Sequence, residues 1–226
     1  MSTRERIVEA AFALCAERGF DATTVDDVAR RAGVGRSTFF RSFASKEEVI
    51  LPELDALLGA VEARLAAARP ESDPNAAVLA VTEAARLVLQ HYLDEGERAR
   101  TRYHLVSSVP SLRTREVAGQ IAFQRVFRTF LGTWLGPDAE NELRAELVAN
   151  AIVTGHNFVL RRWLRGLTDT PTEDFDAAMA MVRTVMPAPF GRAIAPSPTL
   201  ADRARRVAAD LEALLPALHD LGPPEE

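Results

Sequence analysis

The sequence predicts an all-α protein, and three observations carry that reading. Apolar residues recur at steps of three and four through most of the 226 residues. No segment sustains the one-in-two alternation of a half-buried strand. Glycine and proline stand where helices would stop, at Gly19, Gly33, Gly96, Gly136-Pro137 and Gly166. A chain of this length can bury a sizeable core in one or two domains.

Residues 3–18 place Ile7, Val8, Ala11, Phe12, Leu14 and Cys15 on one wide helical face. Gly19 is expected to end this helix in a left-handed cap, with Phe20 folding back on the last turn. Thr24 then reads as an N-cap, and Asp27 stands three residues on in capping-box spacing. The second helix, about Val25 to Ala32, buries Val25, Val28, Ala29 and Ala32. Gly33 supplies the positive φ of a tight turn, and Val34 fills the corner. A third helix covers about Arg36 to Ser42, with Phe39 and Phe43 inward and Arg36, Ser37, Phe40 and Arg41 on or near the outer face. A small residue, a glycine turn and a short helix with polar outward positions have the spacing of a helix-turn-helix.

Ser45 caps the next helix, which is expected to run on to Leu65 despite Pro52 and to join this head to the body. Further helices are expected over 76–94, 97–108, 111–135, 139–166 and about 171–186. Residues 187–199 hold four prolines and a glycine and read as a linker. A last helix over 200–221 repeats apolar residues at alternating steps of four and three, a seam for docking on another helix. The expected organisation is a three-helix helix-turn-helix domain at 1–46, followed by a helical bundle domain at 47–226.

Charge is distributed unevenly. The chain carries −5 overall, yet residues 1–46 hold eight basic and six acidic side chains. Between Val28 and Lys46 there are five basic residues and no acidic one, a footprint suited to phosphates. A solvated helix face explains the same run on charge alone. All basic residues but Lys46 are arginine, and alanine is abundant, a composition of GC-rich bacterial genes. A single cysteine, Cys15, excludes an internal disulfide and suits the cytoplasm. No uncharged apolar run reaches the length of a membrane span, and MSTRERIVEA lacks the apolar stretch of a signal peptide.

These residues resemble a known family. The segment RERIVEAAFALCAERGFDATTVDDVARRAGVGRSTFFRSFASKEEV is similar to the N-terminal domain of tetracycline-repressor-like (TetR) transcriptional regulators. The GF-x-x-TTV entry, the A-x-x-AGV turn, TFF-x-x-F and SKEE agree in order and spacing over about fifty residues. The resemblance implies a homodimer on a palindromic operator in double-stranded DNA, released by a small-molecule effector held in a divergent helical body. It implies phosphate contacts from Thr24, Thr38 and Lys46, and base-facing or near-base positions for Arg36, Ser37 and Arg41. Arg41 reads a base or a phosphate. Phe40 and Ser42 depart from the residues usual at those contact positions (Tyr at the first, His or Tyr at the second), and Gly35 replaces a capping Ser. Arginine bidentate to guanine is worth about 1–3 kcal/mol of discrimination, so Arg36→Ala is expected to relax sequence preference. Lys46→Ala is expected to weaken all sequences alike.

The effector is less legible. Gln120 and Gln124, with Asn150, Thr154, His156 and Asn157, interrupt otherwise apolar helices. Each either pairs with another helix or faces a cavity. Beside Phe123, Phe127 and Phe158 they suggest a mostly apolar pocket with a few polar groups. Arg98, Arg100, Arg102, Arg113 and Arg115 either recruit an anionic effector such as an acyl-CoA or form a solvated face. No catalytic, metal or cofactor motif is present: the four histidines lack metal-ligand spacing, and there is no GxSxG, HExxH or phosphate loop. A helical enzyme, and an interaction protein with a vestigial DNA-binding head, are the alternatives to a regulator.

Overall fold

The computed structural model describes residues 1–51, 53–68 and 74–185. The expected linker at 187–199 and helix at 200–221 lie outside the described residues. Ten helices are described: α1 (Thr3–Arg18), α2 (Val25–Arg31), α3 (Arg36–Ser42), α4 (Lys46–Ile50), α5 (Leu54–Ala66), α6 (Pro74–Glu95), α7 (Glu97–Ser108), α8 (Pro110–Leu135), α9 (Ala139–Leu164) and α10 (Pro171–Val185). There is no strand among the described residues, and no helix among them is long and apolar enough to cross a membrane.

Local chemistry accounts for the helix ends. Ser2 caps α1 through a reciprocal box with Glu5, and Thr24 caps α2 in the same way with Asp27. Pro110 opens α8, where its missing N–H costs nothing. Asp138 caps α9 by accepting the Asn141 N–H. Gly19 does end α1, but at φ 83° and ψ 163° it is not in the left-handed helical region expected of it. The chain leaves α1 extended, and Phe20 is buried all the same.

The helix expected from Ser45 to Leu65 is two helices. α4 ends at Ile50, and Leu51 is extended at ψ 155°. The residue before a proline is driven out of the helical region, and Leu51 precedes Pro52. Good apolar periodicity on both sides of this break hid it in the sequence.

The first three helices and α4 enclose a core of Ile7, Leu14, Phe20, Val28, Phe39 and Ile50. Phe39 is fully buried, with Phe43 6.1 Å away and Phe40 edge-on at 5.4 Å. Gly33 turns α2 into α3 at φ 65°, and the Val34 N–H bonds back to Ala29 O. Val49 and Ile50, beyond the expected boundary at Lys46, are buried in this same core. So are Val106, Val109 and Leu112, from the corner between α7 and α8. The head thus closes over a wedge supplied by the body.

In the body α9 is central, packing on α6, α7, α8 and α10. Ile152, Phe127, Leu131, Phe175 and Met179 are almost wholly buried. Gly155 lets α10 approach: a side chain there would meet Met179 Cε at 2.8 Å. A contrasting face of α9 is left open. Leu143, Leu147 and Phe158 lie at helical spacing along it and are about half exposed.

Candidate DNA interface and internal cavity

The helix-turn-helix presents α3 outward. Ser37, Phe40 and Arg41 are exposed, and Thr38 and Ser42 are half-buried. Arg36 is held from two sides. Its Nη1 donates to both Asp26 carboxylate oxygens at 2.7 and 2.9 Å, and its guanidinium lies 5.3 Å from the Phe40 ring centroid. Nη2 and Nε have no partner among the described residues, so the arginine is oriented without being used up. Phe40 therefore has a local task even without a hydroxyl: its ring supports Arg36. Arg41 makes no hydrogen bond or ion pair among the described residues.

The positive run is less bare in space than in sequence. Asp27 pairs with Arg18 at 2.7 Å and Arg30 at 3.2 Å, and Glu17 pairs with Arg31 at 2.6 Å. These acids precede Val28, outside the window in which the run was counted. Thr24 Oγ1 donates to Asp27 Oδ2 at 2.5 Å and accepts the Asp27 N–H at 3.2 Å. That bond from Thr24 is the main cause holding the Asp27 carboxyl below the usual range, with Arg18 adding to it.

Lys46 is an internal strut. Its Nζ donates to Phe20 O at 2.7 Å and Thr23 O at 2.8 Å, and stands 4.0 Å from the Phe20 ring centroid. It ties the start of α4 to the turn between α1 and α2. Arg4 does similar work, donating to Ser42 O at 2.7 Å and stacking over Phe43.

A cavity of about 600 Å³ lies in the body and reaches the underside of the head. That is an ordinary size for a small-molecule site. Gln120, Phe123 and Phe127 line it from α8, and Asn157 from α9. Gln124, Asn150, Thr154 and Phe158 do not line it. The reason is angular. On α9 the cavity takes the face of Val153, His156, Asn157, Leu160 and Leu164, whereas 150, 154 and 158 fall on the face that carries Leu143 and Leu147. Asn150 instead bonds Glu146, and Phe158 is 56% exposed.

Sequence reasoning missed Tyr92 on α6, which lines the cavity. It also missed the part Arg102 plays there. Arg102, on α7, is 6% exposed. Its Nε donates to Ile50 O at 2.7 Å, and its Nη atoms engage both carboxylate oxygens of Glu95. One side chain on the cavity wall thus grips the last residue of α4. One arginine of three on α7 carried no signal of this, because Ile50 is 52 residues away and Glu95, seven residues back, stands on a different helix.

His156 is buried, with Nδ1 3.2 Å from Asn157 Oδ1. Burial pushes its pKa down to about 4, so the ring is neutral at physiological pH.

Comparison with known proteins fits this geometry. Residues 7–51 match the family model "Bacterial regulatory proteins, tetR family", and residues 75–187 match "MftR C-terminal domain". The chain is 29% identical over 184 residues to the HTH-type transcriptional regulator TcmR of Streptomyces glaucescens, covering 74% of this chain and 76% of that one. It is 27% identical over 190 residues to MftR of Mycobacterium tuberculosis, a relative named for transcriptional regulation of mycofactocin biosynthesis, covering 80% and 89%. The solved SmeT–triclosan complex shares the fold, at TM-score 0.57 and 20% identity, covering 82% of this chain and 91% of that one. A helix-turn-helix head, a helical body and family models matching both place the chain in the TetR family of transcriptional regulators.

Proposed function

We propose that the chain is a homodimeric repressor that holds a palindromic operator and releases it when a small molecule fills the body cavity. The carrying observation is Arg102, which lines the cavity and at the same time grips Ile50 O at the end of α4. A ligand that displaces Arg102 changes the footing of the head. Effector binding then favours a head separation that no longer matches successive major grooves, a population shift with reciprocal coupling. The SmeT–triclosan complex, a protein of this fold with a small molecule bound, supports the reading. Repression is the commoner outcome in the family. The functional head in this reading extends through α4 to Leu51.

In this assignment Arg36 reads a base and Arg41 a base or a phosphate, with Ser37 beside them. Thr24 and Thr38 meet the backbone, while Phe40 and Ser42 shape the surface. Lys46 acts on DNA through the turn it braces, leaving one N–H for a phosphate. Fluorescence anisotropy on the chain's own upstream DNA tests this: binding should be sequence-selective and fall steeply with salt. Binding equally to random DNA would overturn it. Arg36→Ala should cost about 1–3 kcal/mol on the operator and much less on random DNA. Equal losses on both would remove the base-reading role.

The dimer is assigned to the open face of α9. Leu143, Leu147 and Phe158, about half exposed on one face, suit a two-fold helix pairing. Leu147→Glu with Phe158→Glu should give a monomer by sedimentation velocity. Operator affinity should then drop by about 100-fold or more, because one short helix reads too few bases alone. A double variant that stays dimeric would send the interface elsewhere.

A further inference from the structure

The cavity wall offers little free positive charge to a ligand. Arg102 is committed to Glu95 and Ile50 O, and Arg4 to Ser42 O and Glu53. Arg115, the remaining arginine on the wall, is solvent-exposed. The same wall carries four acids, Glu48, Glu53, Asp55 and Glu116, of which Glu53 is the partner of Arg4. Burial raises the Glu116 carboxyl despite the charges of Arg161 and Arg113 nearby. Glu116 is nonetheless solvent-exposed, as Arg115 is.

Tyr92 shows the same combination. It retains part of its surface, but burial pushes its phenol up to about 12. Its hydroxyl has no partner among the described residues, and it lines the cavity. An enclosed phenol left open on the cavity side is a waiting hydrogen-bond partner. Phe123 and Phe127, with ring centroids 6.5 Å apart, and Val88 and Leu160 complete a mostly apolar surround.

We propose that this cavity takes an uncharged, largely apolar ligand whose hydroxyl or carbonyl meets the Tyr92 hydroxyl, and that it discriminates against anions such as acyl-CoA thioesters. The inference rests on the reading of this cavity as the effector site. A buried anion here would find Arg102 and Arg4 already committed and only the solvent-exposed Arg115 without a partner among the described residues, and removing an anion from water is costly. A neutral ligand avoids that cost and satisfies the one open phenol.

Isothermal titration of the full chain with 2-naphthol, naphthalene and 2-naphthoate at pH 7.5 tests the proposal. 2-Naphthol should bind about fivefold more tightly than naphthalene, the worth of one hydrogen bond. It should bind more than about tenfold more tightly than 2-naphthoate. Tyr92→Phe should erase the advantage over naphthalene and leave naphthalene itself unaffected. A 2-naphthoate affinity equal to or above that of 2-naphthol would overturn the ligand class, as would an advantage that survives Tyr92→Phe. Ala118→Trp, at an exposed position on the cavity wall, separates the two levels. If 2-naphthoate binds best and Ala118→Trp blocks it, the effector site stands and only the ligand class fails. If no probe binds, or Ala118→Trp leaves binding intact, the effector-site reading fails with it.

Discussion

Arg102→Ala is expected to cost about 3–5 kcal/mol of folding stability, because it leaves Glu95 buried without its partner. For a chain of this size that is a fall of about 10 °C in melting temperature. The Arg102 and Glu95 side chains are 7% and 19% exposed, so water does little to screen the loss. Burial alone would raise the Glu95 carboxyl. The hydrogen bonds and charge of Arg102 outweigh it and hold the group below its ordinary 4.5. The sign follows from linkage. A carboxyl depressed in the folded state stabilises above its unfolded pKa and loses that contribution as pH falls through the folded one. Wild type should therefore show an acid limb below about pH 4.5 that Arg102→Met with Glu95→Gln lacks. That double variant, which restores uncharged packing, should regain most of the stability. It should still bind operator but respond weakly to effector, because nothing then grips Ile50 O. Thermal denaturation and operator release, measured together, check both halves. A single Arg102→Ala variant as stable as wild type would show that the pair contributes nothing net.

Phe39→Ala should be as damaging, for a different reason. The ring is fully buried in the core to which α1, α2 and α4 contribute, beside Phe40 and Phe43. Large-to-small changes of a buried phenylalanine cost about 3–5 kcal/mol, the lost transfer energy plus the cavity left behind. Operator affinity should collapse with stability, since Phe39 sits on the same short helix as Arg36 and Arg41. Phe39→Leu, which keeps most of the volume, should recover the larger part of both. Urea denaturation with anisotropy on the same samples makes the comparison. Full operator binding by a destabilised Phe39→Ala would separate packing from recognition.

The fold was legible where its causes are local. The i, i+4 pair of Phe39 and Phe43, the Gly33 turn, the Thr24–Asp27 box and the stops at Gly96 and Gly136 are all short-range signals. Two local rules were misweighed: the left-handed cap at Gly19, where the chain leaves extended instead, and Pro52, where periodicity on both sides argued for continuity and the residue before proline decided against it. The candidate sites were legible only in part. Which face of α9 meets the cavity depends on how α6 and α8 pack against it, so polar residues picked from a stretch divided between two faces. Asp26 on Arg36, Glu95 on Arg102 and two carbonyls on Lys46 are tertiary pairings that no spacing announces. Each of these cations looked free in the sequence and is engaged in the structure.

The wedge of Val106, Val109 and Leu112 also limits modularity. The chain reads as a DNA-binding cassette followed by a sensing body, and it is tempting to exchange such cassettes between relatives. Here part of the head's interior is encoded some sixty residues downstream of α3. A transplanted head would meet a foreign wedge and a body with no matching socket. Any working chimera must carry the α7–α8 corner along with residues 1–51. For the same reason a substitution at Val106, Val109 or Leu112, far from α3 in the chain, changes the interior on which the recognition helix rests.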